Sequence, residues 1–448
     1  MMIRSFALVT LAMIVLSVPA SRGASSLAQT APPAGFIITN VRVFDGDRVH
    51  ERTQVAVEGG IIRAVGPELG TWRHLPAIDG SGATLMPGLI DAHAHVRNLE
   101  DLADALRFGV TTVLDLGLSG VTPSQQSELR ATAARRMDVA DLRYAGYVAT
   151  APGGHGTELR NPRLPNPPTV ERAVDAVSFV AARKSEGSDY LKIAINGVRT
   201  ADQGLPTLDE ARVTALVDAA HQQGLLTIAH IETVGDTEIA LASGVDSLAH
   251  VWRRGGANLD LARRIAARKV PVTLTLAIPD GRLPPSRESL LRDGRLRPFM
   301  SARIVQQLSQ SVNAPAQANL DPRRFLDLHV EAARSLHMAG VRLLVGTDAA
   351  MANDTVQHSN PTVHGISVHR ELELLVTEIG LSPLQALAAA TTNSAEAFRL
   401  LDRGRIEVGR KGDLVLVRGN PTVNITATRD ILRVWRSGVE LTRRVPAQ

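Results

Sequence analysis

The chain has 448 residues, 44% hydrophobic and 21% charged, with 49 Lys and Arg against 45 Asp and Glu. This is the composition of a globular protein able to bury a large core, and its scattered basic residues carry no footprint for nucleic acid. Cysteine is absent, which rules out disulfides, thiolate metal sites and cysteine nucleophiles and leaves nitrogen and oxygen as the metal ligands.

In chain order, Arg4 and the apolar run Phe6 to Val18, followed by the small residues around Ala20, predict a signal peptide over 1–20. The run is too short for a comfortable membrane span, so a periplasmic or secreted protein with no stable membrane insertion after signal cleavage is expected. Residues 21–34 read as a disordered lead-in. Residues 35–87 alternate as short strands around Asp and Gly turns such as Gly59-Gly60, and the same texture returns over 405–448. The two segments are expected to pair into one small β-sandwich domain.

Between them, 88–404 alternates apolar strands with amphipathic helices. The strand candidates are Gly88–Asp91, Thr111–Leu114, Leu142–Val148, Tyr190–Ile195, Leu225–Ile228, Asp246–Leu248, Val270–Leu276 and Val341–Val345. Capping boxes at Thr207-Leu208-Asp209-Glu210 and Ser382-Pro383-Leu384-Gln385 open two of the helices. Eight such units predict an α/β fold, a (β/α)8 TIM barrel, with a doubly wound open sheet as the competing arrangement. The stretch Pro279 to Arg324, rich in Arg and Pro, reads either as an insertion covering the site or as a solvated excursion.

His93-Ala94-His95 ends the first candidate strand, and residues two apart on a strand face the same way. Lys192, His230, His250 and Asp348 sit at or near the ends of the fourth, fifth, sixth and eighth candidates. Barrel enzymes keep their reactive groups at that end of the strands. A single histidine carries little weight; six candidates at one end of the strands predict a metal centre.

The segment Pro87-Gly88-Leu89-Ile90-Asp91-Ala92-His93-Ala94-His95 resembles the first-strand signature of the amidohydrolase superfamily. Gly109-Val110-Thr111-Thr112-Val113, Gly346-Thr347-Asp348 and the tail Gly404 to Leu414 resemble its second strand, eighth strand and return to the small sheet. The resemblance spans roughly residues 35 to 440. It implies that Lys192, whose ammonium has no lone pair for a metal, is carboxylated and bridges two divalent cations, most simply zinc. His93, His95 and Asp348 would hold one ion and His230 and His250 the other. A single-metal site with an ordinary lysine is the alternative.

Such a centre lowers the pKa of water and polarises a carbonyl, and Asp348 would pass the proton from water to the leaving nitrogen. Gly153-Gly154-His155-Gly156 and His364 to Leu372 resemble the imidazolonepropionase-like and Xaa-Pro dipeptidase-like subgroup. That makes His155 a candidate substrate-binding residue, hydrogen-bonding the scissile carbonyl or the oxyanion. His364 and His369 read as structural residues on a helix. His50, His74, His221, His329, His337 and His358 read as surface or packing residues. One departure from the family is Ile231-Glu232-Thr233 after His230, which leaves specificity open.

The function expected is hydrolysis of a C–N bond in a small-molecule substrate, a dipeptide or N-acyl amino acid, with Arg282 and Arg287 as candidate receptors for a substrate carboxylate. The rivals are a cyclic amide or ester/lactone hydrolase in the same site, and a periplasmic binding protein that kept the fold. A homo-oligomer is compatible with the sequence.

Overall fold

The computed structural model describes residues 35–117, 120–157, 163–196, 204–310, 321–351 and 361–444. The expected leader 1–20, the lead-in 21–34 and His358 lie outside them.

The two sequence-distant β segments meet in one sheet. Strand Val49–Glu58 pairs antiparallel with both Gly35–Phe44 and Ile61–Gly66, and it joins the latter through Gly59 and Gly60 at φ 60° and 79°, the positive values a tight hairpin turn requires. Ala83–Pro87 lies parallel to Gly35–Phe44, and Leu414–Arg418 pairs antiparallel with Ala83–Pro87. Ile431–Arg436 and Val439–Glu440 extend that edge, and Ala77–Asp79 completes an eight-stranded sheet.

Alternation along these strands fills both faces. Leu414 and Leu416 join Phe36, Leu85 and Trp435 on one side, with the Phe36 and Trp435 rings stacked at 5.1 Å. Val415 and Val417 point the other way, into the largest cluster of buried apolar residues. That cluster also contains Val113, Leu191 and Val272 from the parallel strands, so the two layers share a core.

Among the described residues, eight strands with parallel ladders precede the short parallel strand Ala349–Ala350: Leu89–His95, Val110–Asp115, Asp141–Tyr144, Tyr190–Ile195, Leu226–Ile231, Ser247–Ala249, Val272–Thr273 and Leu343–Leu344. The first three, with the short strand Ala349–Ala350, form one sheet, and the last five form another. Backbone hydrogen bonds link the two sheets on both sides. Ala149 N donates to Lys192 O at 2.8 Å and Ala194 N to Ala149 O at 2.9 Å. On the other side, Ala92 N donates to Val345 O at 3.0 Å and Thr347 N to His93 O at 3.1 Å.

Helix starts follow local chemistry. The Ser382 box forms as expected, with Pro383 in the first turn. The box expected at Thr207 does not form. Helix Glu210–Gln222 is capped by Asp209, whose carboxylate accepts from Arg212 N, while the Thr207 carbonyl accepts from the Arg212 guanidinium at 3.0 Å. Aspartate is an N-cap as good as threonine, and its position selects the start. His364 lies before helix Ile366–Leu374 rather than on it; only His369 is helical.

Residues 311–320 of the stretch Pro279 to Arg324 lie outside the described residues, and its described part packs against the fold rather than standing free in solvent. Leu290, Leu296, Met300, Ile304 and Leu308 bury against Phe108 and Ile366. Arg303 donates to Asp101 and Asp104 on helix Leu99–Arg107. No helix among the described residues is long and apolar enough to cross a membrane.

Candidate metal centre

Strand register sets the site. Asp91, His93 and His95 alternate with alanines along the first parallel strand, so all three share one face. Asp348 lies beside that strand, its N–H donating to the His93 carbonyl at 2.6 Å. On the other sheet, Ile228 stands opposite Lys192 and His230 opposite both Ala194 and Ala249, which brings His250 alongside His230.

The six candidate ligands converge. His93 Nε2 and His95 Nε2 lie 3.5 and 2.8 Å from Asp348 Oδ1. One ligand atom from each of His93, His95 and Asp348 fits within 4.8 Å of the others. The His93 ring is 4.7 Å from that of His250, and His250 is 4.4 Å from His230. Lys192 is buried, its Nζ has no hydrogen-bond partner, and its charge acts on His93, His230, His250 and Asp348. His155, from the loop after the third strand, brings its ring to 4.4 Å from His230.

Second partners orient several of these groups. His95 Nδ1 donates to the Gly117 carbonyl at 3.0 Å, which leaves Nε2 directed at Asp348. His250 Nδ1 is 2.7 Å from the Thr275 hydroxyl. Asn196 Nδ2 lies 3.3 Å from His230 Nε2. Asp91 accepts from the Thr347 hydroxyl at 2.6 Å and from the N–H groups of Thr347 and His93, tying the first strand to the eighth. His250, Thr275 and Asp348 hold φ of 70°, 55° and 51°, a region non-glycine residues rarely adopt and one that concentrates at functional sites.

Burial dominates the electrostatics. It pushes the Lys192 ammonium down to about 7, against the opposing pull of Asp348. His93, His230 and His250 fall well below the ordinary histidine value, first by burial and then chiefly by neighbouring positive groups. Burial also works to raise Asp348, but the His95 hydrogen bond and nearby cations outweigh it and hold the carboxylate below its usual range. Burial pushes Asp91 up to about 7.

The donor set suits a borderline divalent cation. It offers three imidazoles that burial keeps neutral, one ionised carboxylate, and two buried nitrogens, His93 Nδ1 and Lys192 Nζ, without partners. At a fourth imidazole, His95, burial is outweighed by the Asp348 hydrogen bond and charge, and the pKa is raised.

The chain belongs to the amidohydrolase family, which matches residues 84–441. It is therefore a hydrolase of carbon–nitrogen bonds, of a family that is generally metal-dependent. It is 25% identical over 439 residues to the imidazolonepropionase of Salinispora tropica, covering 92% of this chain and 95% of that one. A crystal structure of a Xaa-Pro dipeptidase with bound methionine in the active site superposes with a TM-score of 0.70 at 21% identity, covering 91% of this chain and 99% of the other. Molinate hydrolase gives 0.70 at 19% identity, covering 92% and 96%.

Sequence reasoning missed Asp91, Asn196, Thr275 and Arg253. Asp91 carried a usable signal, since it falls two residues before His93 on the same strand face. Asn196 follows its strand directly and Thr275 comes two residues after Val272–Thr273, but nothing in residue type marks them. Glu232 belongs to the surroundings of the site: its Oε1 is 3.7 Å from His230 Nε2, and its carboxylate pairs with Arg253. Arg287 turns away, donating to the Gly281 carbonyl. His369 is a buried structural residue, and His364 is buried near Asp101 at 3.9 Å.

Proposed function

We propose that this enzyme hydrolyses an amide-type C–N bond in a dipeptide or N-acyl amino acid at a binuclear centre. In this reading the two linked sheets are one (β/α)8 barrel, and the eight-stranded sheet is the small domain set against it. His93, His95 and Asp348 would hold one divalent cation, His230 and His250 the other, with carboxylated Lys192 between them and zinc as the best-matched ion. The cations would supply a water of lowered pKa and polarisation of the scissile carbonyl.

The observation that carries the proposal is Lys192. A buried amine with no partner, pushed down to about 7, is available as the neutral base at neutral pH. Its lone pair can form an N–C bond to carbon dioxide with loss of one proton, and the resulting carbamate is an anionic oxygen ligand where the ammonium was none. Asp348 would take a proton from the attacking water and return it to the departing nitrogen. His155, whose ring lies 4.4 Å from that of His230, would donate to the substrate carbonyl oxygen as negative charge develops there.

The similarity to imidazolonepropionase favours one second reading, ring opening of a cyclic amide in the same site. The apolar run before Ala20 further supports export from the cytoplasm.

The test is elemental analysis of the purified protein beside Lys192→Ala, with hydrolysis of dipeptides, N-acyl amino acids and cyclic amides followed by mass spectrometry. About two ions per chain, falling sharply in the variant together with turnover, is expected. One ion unaffected by the substitution, with turnover retained, would reject the bridge and favour a single-metal site.

A further inference from the structure

Next to His230 stands a group of charges that the hydrolytic reading leaves unused. The Arg253 guanidinium pairs with the Glu232 carboxylate, and the Arg253 N–H donates to the Glu232 carbonyl at 3.0 Å. Glu232 Oε1 is in turn 3.7 Å from His230 Nε2, so Arg253 is one carboxylate away from the metal centre. Arg282 reaches the same place from the segment after the seventh strand. The guanidinium carbons of Arg253 and Arg282 lie 5.6 and 5.2 Å from the ring centre of Phe325.

The charges in this group do not balance. Arg282 is partly buried, its Nε has no hydrogen-bond partner, and no carboxylate pairs with it among the described residues. Glu232 is ion-paired with Arg253 and lies near His230, and it makes no ion pair with Arg282 among the described residues. A ring face attracts a cation, but it supplies no anion and accepts none of the guanidinium's directed hydrogen bonds. Holding a cation out of water beside a second cation is costly unless an anion joins them. The planar fork of a guanidinium takes a carboxylate in two parallel hydrogen bonds, which fixes orientation as well as charge.

We propose that Arg282, backed by Arg253, receives a carboxylate of the substrate a few bonds from the C–N bond that is cleaved. The assignment rests on the hydrolytic reading above and narrows it. Dipeptides and N-acyl amino acids with a free carboxylate are selected, and neutral cyclic amides and lactones are disfavoured. Glu232 sets the charge of the subsite: by neutralising one guanidinium it leaves one net positive charge, which matches a monocarboxylate. Arg287, the other arginine that the sequence offered, also has an unpartnered Nε, but it donates to the Gly281 carbonyl and, among the described residues, shares no ring or ion-pair contact with Phe325, Arg253 or Glu232.

The experiment uses a panel of N-acetyl-L-amino acids and the corresponding carboxamides, which share the N-acetyl bond and differ only in the carboxylate. Two readouts are taken on the metal-loaded protein: kcat/KM, and the thermal shift each compound produces. The free acids should exceed the carboxamides at least tenfold in kcat/KM, chiefly through KM, and should protect more against heat. Arg282→Gln should bring the acids down to the carboxamide level in both readouts, and Arg282→Lys should recover part of the difference. Equal handling of acids and carboxamides by the native enzyme, or an equal loss for both in Arg282→Gln, would overturn the subsite and leave the hydrolytic reading standing. If no compound is turned over, the hydrolytic reading fails for this class and the thermal shifts alone decide the subsite, with no acid preference rejecting it.

Discussion

Asp348 concentrates the chemistry of the site in one residue. Its φ of 51° and its N–H bond to the His93 carbonyl aim the carboxylate between His93 and His95, and the cations around it keep it ionised despite burial. An ionised carboxylate whose second oxygen is free of the metal can accept a proton from water and deliver it to a leaving nitrogen. Asp348→Asn keeps the shape and removes the charge and basicity. In the proposed role kcat should fall by about 10²–10⁴, the usual worth of a positioned proton-transfer group. Metal content measured on the same sample separates lost chemistry from lost metal: near-normal turnover with full metal would remove Asp348 from this role. At this scale the sequence was readable where residue type and period coincide, as for His93 and His95. It was unreadable for Arg253, because a loop arginine has no periodic signal and its partner Glu232 is 21 residues away.

The elements explain why these side chains converge. The ends of the parallel strands are packed so closely that Gly346 leaves no room for a methyl group: a Cβ there would lie 2.4 Å from Thr273 Cγ2 and 2.8 Å from His93 Cβ. Gly346→Ala should therefore push His93 and Asp348 apart as well as strain the strands. A stability loss of about 1–3 kcal/mol is the ordinary cost of such overpacking. Denaturant unfolding would measure it, and metal analysis should show a parallel loss; an unchanged metal content would mean that the strands yield without moving the ligands. The strands themselves were legible because each buried run is apolar and is bounded by polar or glycine residues. Their lengths were less so: the apolar runs Val270–Leu276 and Val341–Val345 contain only the two-residue ladders Val272–Thr273 and Leu343–Leu344. Apolar character reports burial, and burial continues past the point where neighbouring backbones stop pairing.

On the scale of the whole molecule, His369 ties helix Ile366–Leu374 to two other parts of the chain. Its Nε2 donates to the Phe108 carbonyl at 3.0 Å, and its Nδ1 is 3.1 Å from the hydroxyl of Thr428, in the segment that leads into the eight-stranded sheet. Burial, then the charge of Arg429, pushes its pKa from 6.5 down to about 3. The native value lies below the unfolded one, so between the two the unfolded chain binds more protons and stability falls as pH falls. That loss begins near pH 6.5 and continues toward 3, at about 1.4 kcal/mol per pH unit for one proton. Buried carboxyl groups with raised values, such as Asp91 near 7 and Asp115 near 6, change stability in the opposite direction, so the slope of the native protein alone cannot isolate His369. The difference between the native protein and His369→Gln can. At pH 7 the variant should be less stable by about 1–3 kcal/mol, the cost of leaving buried partners unsatisfied. Toward pH 5 the gap should close, because only the native protein loses the stability of a neutral buried imidazole. Urea midpoints at pH 7, 6 and 5 measure this, and a gap that stays constant would mean that His369 titrates alike in the folded and unfolded chains.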